Sequence, residues 1–361
     1  MRIRFTHPAV SLALTAALVV TACSAAATPV PTKAPTAAPT TAGSPAAATA
    51  APLPGSKKFT VAFTSRGISS VAMMEATDIL NKAGYRIDTP EIAQSNLIVE
   101  GIVNGQFQVT SGTTLSFMIA AQKGGAIRMI GNRLNNEWTL SGLASITKCD
   151  DINGKIYAHH TESAVSTAMS RIWVKTNCAA TTKFQEVFIQ GSDVRAAALR
   201  NGQIDVTELE LGDAYSTTTG ALASKFKIIA NFSQDLPKLK TSMIGANSTW
   251  MAANPGDVLA LMREVTKQNR KINEDKTGAY LKALSLKWVP KAINPDTIDL
   301  VAKAYVEKQL FPGDGGAAVA DIEYTIKFFE DGGSLPKGLT IPQAADLTFL
   351  NTVLKELGPV K

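Results

Sequence analysis

Hydrophobic and polar positions follow two periodicities along the chain after residue 58. Short apolar runs such as 59–64 (FTVAFT) and 126–131 (AIRMIG) predict strands, whereas the helical spacing within 69–82 predicts a helix that ends at Gly84. The other predicted strands are 85–87, 107–110, 155–158, 186–189, 204–207 and 226–230, and the other predicted helices are 93–103, 114–123, 164–176 and 193–200. From residue 255 onward the pattern predicts almost only helices. Strands that alternate with helices are typical of an α/β fold, with a mostly parallel sheet between layers of helices.

One turn pattern occurs twice. Residues 102–110 read IVNGQFQVT and residues 199–207 read LRNGQIDVT. In both segments a predicted helix ends at Asn-Gly, where glycine can adopt the left-handed cap conformation, and a strand follows. The repetition indicates equivalent units in two similar lobes.

The first 23 residues indicate export. Arg2 and Arg4 precede an apolar run over 9–20 (AVSLALTAALVV), which is shorter than the about 20 apolar residues needed to span a bilayer. The sequence Val20-Thr21-Ala22-Cys23 resembles a bacterial lipobox. The resemblance implies a signal peptide over 1–22, cleavage before Cys23 and a lipid on its sulfur.

Residues 24–57 consist almost entirely of Ala, Pro, Thr, Ser and Gly. This composition cannot bury a core, and we therefore expect the lipidated Cys and a disordered linker to occupy residues 23–57.

The remaining residues, 58–361, are long for a single core and predict two lobes. The formal net charge of the chain is +6, but no run of Lys and Arg could follow a phosphate backbone, so no nucleic acid partner is expected. Cys149 and Cys178 could form a disulfide in an oxidising compartment or remain two buried thiols. Neither has a His at metal-ligand spacing, and we expect no metal and no cofactor.

Two motifs carry a resemblance to a known family. Residues 151–156 (DINGKI) are similar to the turn that opens the second lobe, and residues 199–206 (LRNGQIDV) to a helix–strand signature, in type II periplasmic binding proteins for nitrate, aliphatic sulfonates, taurine and thiamine precursors. The resemblance implies a two-lobed fold with lobe 1 at 58–145 and 245–361 and lobe 2 at 146–244. The chain would cross between the lobes near 144–147 and 243–246, and the ligand would sit between them.

Parallel α/β sheets bind ligands beyond the carboxyl ends of their strands, where helices begin. Several such turns here are rich in Ser, Thr or Gly, which suits an anion or a polar group because helix N-termini offer free N–H groups. The candidate ligand-binding residues are Ser65, Arg66, Ile68, Ser69, Gly112, Thr113, Thr114, Trp138, His160, Thr161, Ser163, Gln190, Gly191, Glu208 and Glu210.

The charge of the ligand stays open. Arg66 could hold a carboxylate or sulfonate with two hydrogen bonds. Glu208 and Glu210, which strand alternation would place on one face, would instead favour a cation or a hydrogen-bond donor.

No enzymatic motif accompanies His159, His160 and Glu162, since GxSxG, HExxH and a P-loop are all missing from the sequence. We therefore expect a monomeric, extracytoplasmic, lipid-anchored binder rather than an enzyme. It would capture a small molecule and deliver it to an ABC permease with its ATPase. The alternatives are an enzyme of the same fold related to thiamine-precursor synthesis and a sensor module for a membrane receptor.

Overall fold

The structure is a computed structural model that describes residues 53–292 and 294–360. The expected signal peptide, the lipidated Cys23 and most of the linker lie outside the described residues. The expected disordered linker ends earlier than residue 57, because residues 54–56 are already bonded to the folded part. Pro54 O accepts a hydrogen bond from Gly256 N (2.8 Å), and Ser56 N donates to Asn254 Oδ1 (3.1 Å). The last linker residues are thus bound to the folded part.

Ten strands and fourteen helices form the described chain. The strands are β1 Lys58–Phe63, β2 Arg86–Asp88, β3 Val109–Ser111, β4 Ile127–Leu134, β5 Thr139–Leu143, β6 Ile156–His159, β7 Gln185–Phe188, β8 Val206–Leu209, β9 Phe226–Asn231 and β10 Ser242–Asn247. The helices are α1 Val71–Lys82, α2 Ser95–Val103, α3 Thr114–Gln122, α4 Val165–Asn177, α5 Ser192–Arg200, α6 Leu211–Thr218, α7 Phe232–Asp235, α8 Ser248–Ala253, α9 Pro255–Glu274, α10 Ala279–Trp288, α11 Ile298–Glu307, α12 Val319–Asp331, α13 Ile341–Ala344 and α14 Thr348–Leu357.

The strands form two five-stranded sheets, in the orders β2-β1-β3-β10-β4 and β7-β6-β8-β5-β9. In the first sheet β1 is parallel to β2 and β3, while β10 is antiparallel to β3 and β4. In the second sheet β6 is parallel to β7 and β8, while β5 is antiparallel to β8 and β9. Four strands of each sheet therefore share one direction. The predicted α/β class with mostly parallel sheets and a helical C-terminal region is confirmed.

The chain changes sheets earlier than the sequence analysis expects. Strand β5 at 139–143 already belongs to the second sheet, and β10 at 242–247 to the first. The crossings therefore lie at 135–138 and 232–241, not at 144–147 and 243–246. The sequence analysis missed β5 and read β10 as a crossing. Both follow short connections rather than the long helical crossovers that create parallel neighbours.

The repeated turn forms the same structure in both sheets. Asn104 and Asn201 both have φ −85° and ψ 0°, and Gly105 and Gly202 follow with φ of 76° and 71°. The next N–H group reaches back five residues in each case, from Gln106 to Gly101 (2.8 Å) and from Gln203 to Ala198 (2.9 Å). These are Schellman caps, and they confirm the interpretation of the glycines as left-handed helix caps.

A disulfide joins Cys149 and Cys178, whose Cα atoms are 5.1 Å apart. Cys149 begins the short 3-10 turn before β6, and Cys178 caps the C-terminus of α4. The bond therefore closes the β6–α4 unit of the second sheet. Among the helices of residues 53–292 and 294–360, none is long and apolar enough to cross a membrane.

Candidate ligand-binding site

Two adjoining cavities lie between residues of the two sheets. They have volumes of about 210 Å³ and about 150 Å³, and they share the five lining residues Ser65, Glu91, Ser192, Asp193 and Glu210. We call the larger the arginine cavity, because Arg133 and Arg195 line it, and the smaller the acidic cavity, because Asp213 joins the shared Glu and Asp residues there. The shared walls make them parts of one cleft.

Arg133 reaches the arginine cavity from β4 of the first sheet. Its side chain is buried, with 5% exposure, and its Nη1 donates to Ser70 Oγ at 2.6 Å. The Nε–H group has no partner among the described residues. Gly112, with φ 94°, leaves room beside the guanidinium, since a Cβ there would lie 3.5 Å from Nη2. A buried donor without a partner is costly, and a ligand oxygen would satisfy it.

Arg195 reaches the same cavity from α5 of the second sheet and is fully buried. Nε and Nη2 donate to the backbone oxygen of Glu208 at 3.1 and 2.9 Å. Nη1 donates to the backbone oxygens of Ile189 (3.0 Å) and Gly191 (3.1 Å). These bonds hold the guanidinium in place without neutralising its charge.

Neither arginine forms an ion pair with a carboxylate in the described part of the chain. Two buried cations therefore face one cavity, and no described carboxylate lies within ion-pair distance of either. Burying an unpaired charge costs several kcal/mol. An anionic group between Arg133 and Arg195 would offset this cost.

His160 adds a neutral donor to the arginine cavity. Burial and the charge of Arg195 lower the pKa of His160 to about 4, so the ring is neutral at physiological pH. Its Nδ1 accepts from Gly191 N at 3.1 Å, which leaves the ring proton on Nε2.

The carboxyl groups of the cleft have raised pKa values. Burial and the charge of Glu210 raise the pKa of Glu137 well above its usual range, although Tyr305 donates a hydrogen bond to its Oε2. Burial and the charge of Asp213 raise the pKa of Glu210 to about 7. Glu210 Oε2 lies 3.5 Å from Ser69 Oγ, which connects the second sheet to the first across the cleft. These carboxyl groups resist ionisation because burial removes water and other carboxylates lie close.

Glu208 does not reach the cleft, contrary to the sequence analysis. Its buried Oε1 accepts from His159 Nδ1 at 2.5 Å and from Ser170 Oγ, inside the second sheet unit. Strand alternation applies only up to Leu209, where β8 ends, and Glu210 is the N-cap of α6. The two glutamates therefore have different surroundings rather than a common face.

Arg66 lines the acidic cavity and not the arginine cavity. Its Nη2 donates to the backbone oxygen of Thr89, and its Nε lies 3.6 Å from Glu91 Oε2. The expected free arginine is thus held by the loop before α2.

The other candidates divide into two groups. The residues that line the arginine or acidic cavity are Ser65, Ile68, Gly112, Trp138, His160, Gln190, Gly191 and Glu210. The residues outside both linings are Ser69, Thr113, Thr114, Thr161 and Ser163. Thr114 Oγ1 accepts from Met243 N at 3.0 Å, and Ser163 O accepts from Ser116 Oγ at 3.5 Å, so these two residues hold separate segments of the chain together.

The sequence analysis missed Arg133, Arg195 and Glu137. Arg133 lies at a buried position of the strand IRMIGNRL, and Arg195 lies beside the buried residues Ala196, Ala198 and Leu199 of α5. A charge at a position that the hydrophobic pattern marks as buried is a usable signal, because such charges need a partner.

No group of His, Cys, Asp and Glu side chains in the described residues is arranged to hold a metal ion.

Three solved structures with this fold belong to proteins with different roles. The ligand binding component of an ABC-type import system from Staphylococcus aureus, with zinc bound, has a TM-score of 0.68 and 10% identity over 82% of this chain and 98% of that chain. The periplasmic aliphatic sulphonate binding protein SsuA from Escherichia coli has a TM-score of 0.61 and 13% identity, over 80% and 92%. The desulfurization enzyme DSZB has a TM-score of 0.59 and 14% identity, over 83% and 99%. Such low identities show a common fold and do not determine the ligand.

A search of curated proteins gives no match. A comparison with protein families matches residues 80–272, just over half of the chain, to the family described as NMT1/THI5 like. The match includes β2 to β10 and both arginines of the cleft. The chain therefore belongs to the NMT1/THI5-like family and has the fold of periplasmic binding proteins.

Proposed function

We propose that this protein is an extracytoplasmic solute-binding protein that captures a small anionic solute and delivers it to an ABC permease with its ATPase. The observation that carries the proposal is the pair of buried arginines, one from each sheet unit, that face one cavity without a carboxylate partner. An anion bound between them would contact both units at once.

The two sheet units would act as lobes that close on the solute. We place the hinge at the two crossings, 135–138 and 232–241, because within residues 53–292 and 294–360 only these segments connect the sheets along the chain. Glu137 and Trp138 lie in the first crossing and also line the arginine cavity. Occupation of the cavity would therefore favour the closed arrangement.

Export and anchoring belong to the same proposal. The lipobox-like segment at Cys23 would hold the protein at a membrane, as a monomer, while the linker lets it reach the permease. The Cys149–Cys178 disulfide supports an oxidising compartment, since such bonds persist mainly outside the cytoplasm.

A binding role is favoured over an enzymatic one, although DSZB shares the fold. Both described cysteines are consumed in the disulfide, away from the cavity linings. Neither lining therefore offers a cysteine thiol as a nucleophile.

Isothermal titration with small sulfonates, carboxylates and nitrate tests the proposal. The full chain should bind at least one of these anions, and Arg133→Gln should weaken that binding about 100-fold, which corresponds to about 2.7 kcal/mol. Arg128→Gln is the matched control, because Arg128 lies on the same strand but outside both cavity linings. Equal effects of the two substitutions, in variants with native circular dichroism, would refute the role of Arg133.

A further inference from the structure

More carboxyl groups than cations line the arginine cavity. Its two arginines share the lining with the four carboxyl residues Glu91, Glu137, Asp193 and Glu210. Glu91 lies 3.6 Å from Arg66, outside this lining, which leaves three carboxyl groups beside Arg133 and Arg195. If all three were ionised, they would outnumber the arginines and repel the anion that the proposed function places there. Binding of an anion therefore favours the neutral form of these carboxyl groups.

Glu210 is the carboxyl group of this lining that can change its charge near neutral pH. It lies on the wall that the two cavities share, and its Oε2 is 3.5 Å from Ser69 Oγ. Among the described residues, no Lys or Arg lies within ion-pair distance of its carboxyl group. Because the pKa of Glu210 is about 7, its neutral and ionised forms are both populated at physiological pH.

The same two arginines act on Glu210 and on the solute. Burial and Asp213 raise the pKa of Glu210, whereas the charges of Arg133 and Arg195 lower it. The ionised form of Glu210 thus depends on the guanidinium groups that would hold the solute. A bound anion would cancel part of their positive potential and would repel a carboxylate beside it, so it would raise the pKa of Glu210 further. By linkage, protonation of Glu210 strengthens the binding of the anion.

We propose that Glu210 takes up one proton from solvent when the cleft binds its anionic solute, and that its ionised carboxylate otherwise competes with the solute for Arg133 and Arg195. This inference rests on the proposed function and deepens it by naming how that site is regulated. The cleft would hold its solute most tightly in acidic surroundings and release it more readily in alkaline ones.

The other titratable or charged groups that face Glu210 or line the same cavities are Arg66, Glu91, Arg133, Glu137, His160, Asp193, Arg195, Asp213 and Tyr305. Of these, His160 has a pKa of about 4, so its charge does not change above pH 6.

Isothermal titration of the full chain with nitrate, ethanesulfonate and propanoate between pH 6 and pH 8.5 tests the inference. These anions remain ionised over the whole range, so a change in affinity comes from the protein. For the anion that binds most tightly, the dissociation constant should be about ten-fold higher at pH 8.5 than at pH 6, because Glu210 of the free protein loses its proton near pH 7.

Titrations at pH 8 in imidazole and in Tris measure the proton directly. Neither buffer is an anion, so neither competes for the arginines, and the two release a proton with different enthalpies. The difference in observed heat should correspond to the uptake of between about half a proton and one proton per bound anion. Equal heats in the two buffers would contradict proton uptake.

Glu210→Gln identifies the group, because an amide keeps the shape of the side chain but cannot ionise. The ratio of the dissociation constants at pH 8.5 and pH 6 should fall from about ten toward one. Glu356→Gln is the matched control, since it makes the same chemical change on α14, at a residue that pairs with Arg263 and is 41% exposed. The same ratio in both variants, each with native circular dichroism, would show that another group takes up the proton.

The outcomes separate the two proposals. If an anion binds equally well from pH 6 to pH 8.5 and with equal heats in the two buffers, the inference about Glu210 is wrong and the anion-binding proposal stands. If no small sulfonate, carboxylate or nitrate binds at any pH, both proposals fail.

Discussion

Glu208 and Glu210 are two residues apart, yet the structure treats them in opposite ways. Burial alone would raise the pKa of Glu208, but His159, Arg195 and Ser170 outweigh it and lower the pKa below its usual range. Burial and Asp213 instead raise the pKa of Glu210 to about 7. Glu208 faces the interior of the second sheet unit, and Glu210 faces the cleft.

The difference indicates that Glu208 has a structural role and that Glu210 is part of the candidate binding site. Glu208 has its hydrogen bonds within its own sheet unit, including one of 2.5 Å from His159. Glu210 has a 3.5 Å contact with Ser69 of the other unit and a surrounding of carboxyl groups. Glu208 is held through Oε1 by two groups of its own unit, although its Oε2 has no partner among the described residues. Glu210 differs because it lies on both cavity linings, where a ligand can reach it.

Loss of the buried carboxylate should have the largest effect. Glu208→Gln keeps the shape of the side chain but removes the buried carboxylate from His159 Nδ1, and we expect a loss of about 3–5 kcal/mol in the free energy of unfolding. Urea denaturation measures it. Glu186→Gln is the control, because Glu186 lies 3.3 Å from the other ring nitrogen but is 32% exposed, and it should cost less than about 1 kcal/mol. Similar losses in both variants would remove the distinction drawn for Glu208.

Glu210 should make the free energy of unfolding depend on pH. Its pKa is raised in the folded protein to about 7 from 4.5, so its contribution to stability is complete below pH 4.5 and is lost as pH rises through 7. The other charged groups that face it are Glu137, Asp193, Asp213, Arg133 and Arg195.

The stability of the natural protein should therefore fall between pH 5 and pH 8, relative to Glu210→Gln, by on the order of 1–2 kcal/mol after solvent screening. Urea unfolding of both proteins at several pH values measures this difference. Parallel profiles would contradict the raised pKa.

We expect the smallest change in stability for a pair of carboxylates on the surface, Glu162 and Glu186. Arg171 bridges Glu162 and Glu186, with 2.6 Å contacts to each, and its side chain is 31% exposed. Arg171→Gln should cost less than about 1 kcal/mol, and less still in high salt, because exposed ion pairs are screened. Lys327→Gln removes an exposed ion pair with Asp331. Its effect in the same urea experiment shows how much a single surface ion pair contributes to stability. A loss above 2 kcal/mol would mean that the surface network supports His159 from outside.

Much of the fold could be predicted because its strands and helices alternate with clear periodicity. The caps at Gly105 and Gly202 were visible as a repeated Asn-Gly. Strands β5 and β10 escaped because they follow short connections and lack the helix that marks the other units. Their inclusion shifts both crossings toward the N-terminus.

The site was less predictable, since turn residues were chosen for their position after strands. That rule found Gly112, His160 and Gly191, which line the arginine cavity. It could not find Arg133 inside β4 or Arg195 inside α5, because neither residue lies in a turn that follows a strand. It also carried strand alternation one residue too far, from Glu208 to Glu210.

The attachment of residues 54–56 to the start of α9 has a mechanical consequence. Pro54 and Ser56 are bonded to Gly256 and Asn254, which follow β10 of the first sheet. A pulling force along the preceding chain would therefore act on the unit that contains the first sheet. It would not act on the two crossings at 135–138 and 232–241. If the two sheet units move about the proposed hinge, the half with β5 to β9 would remain free to move while the other half is restrained.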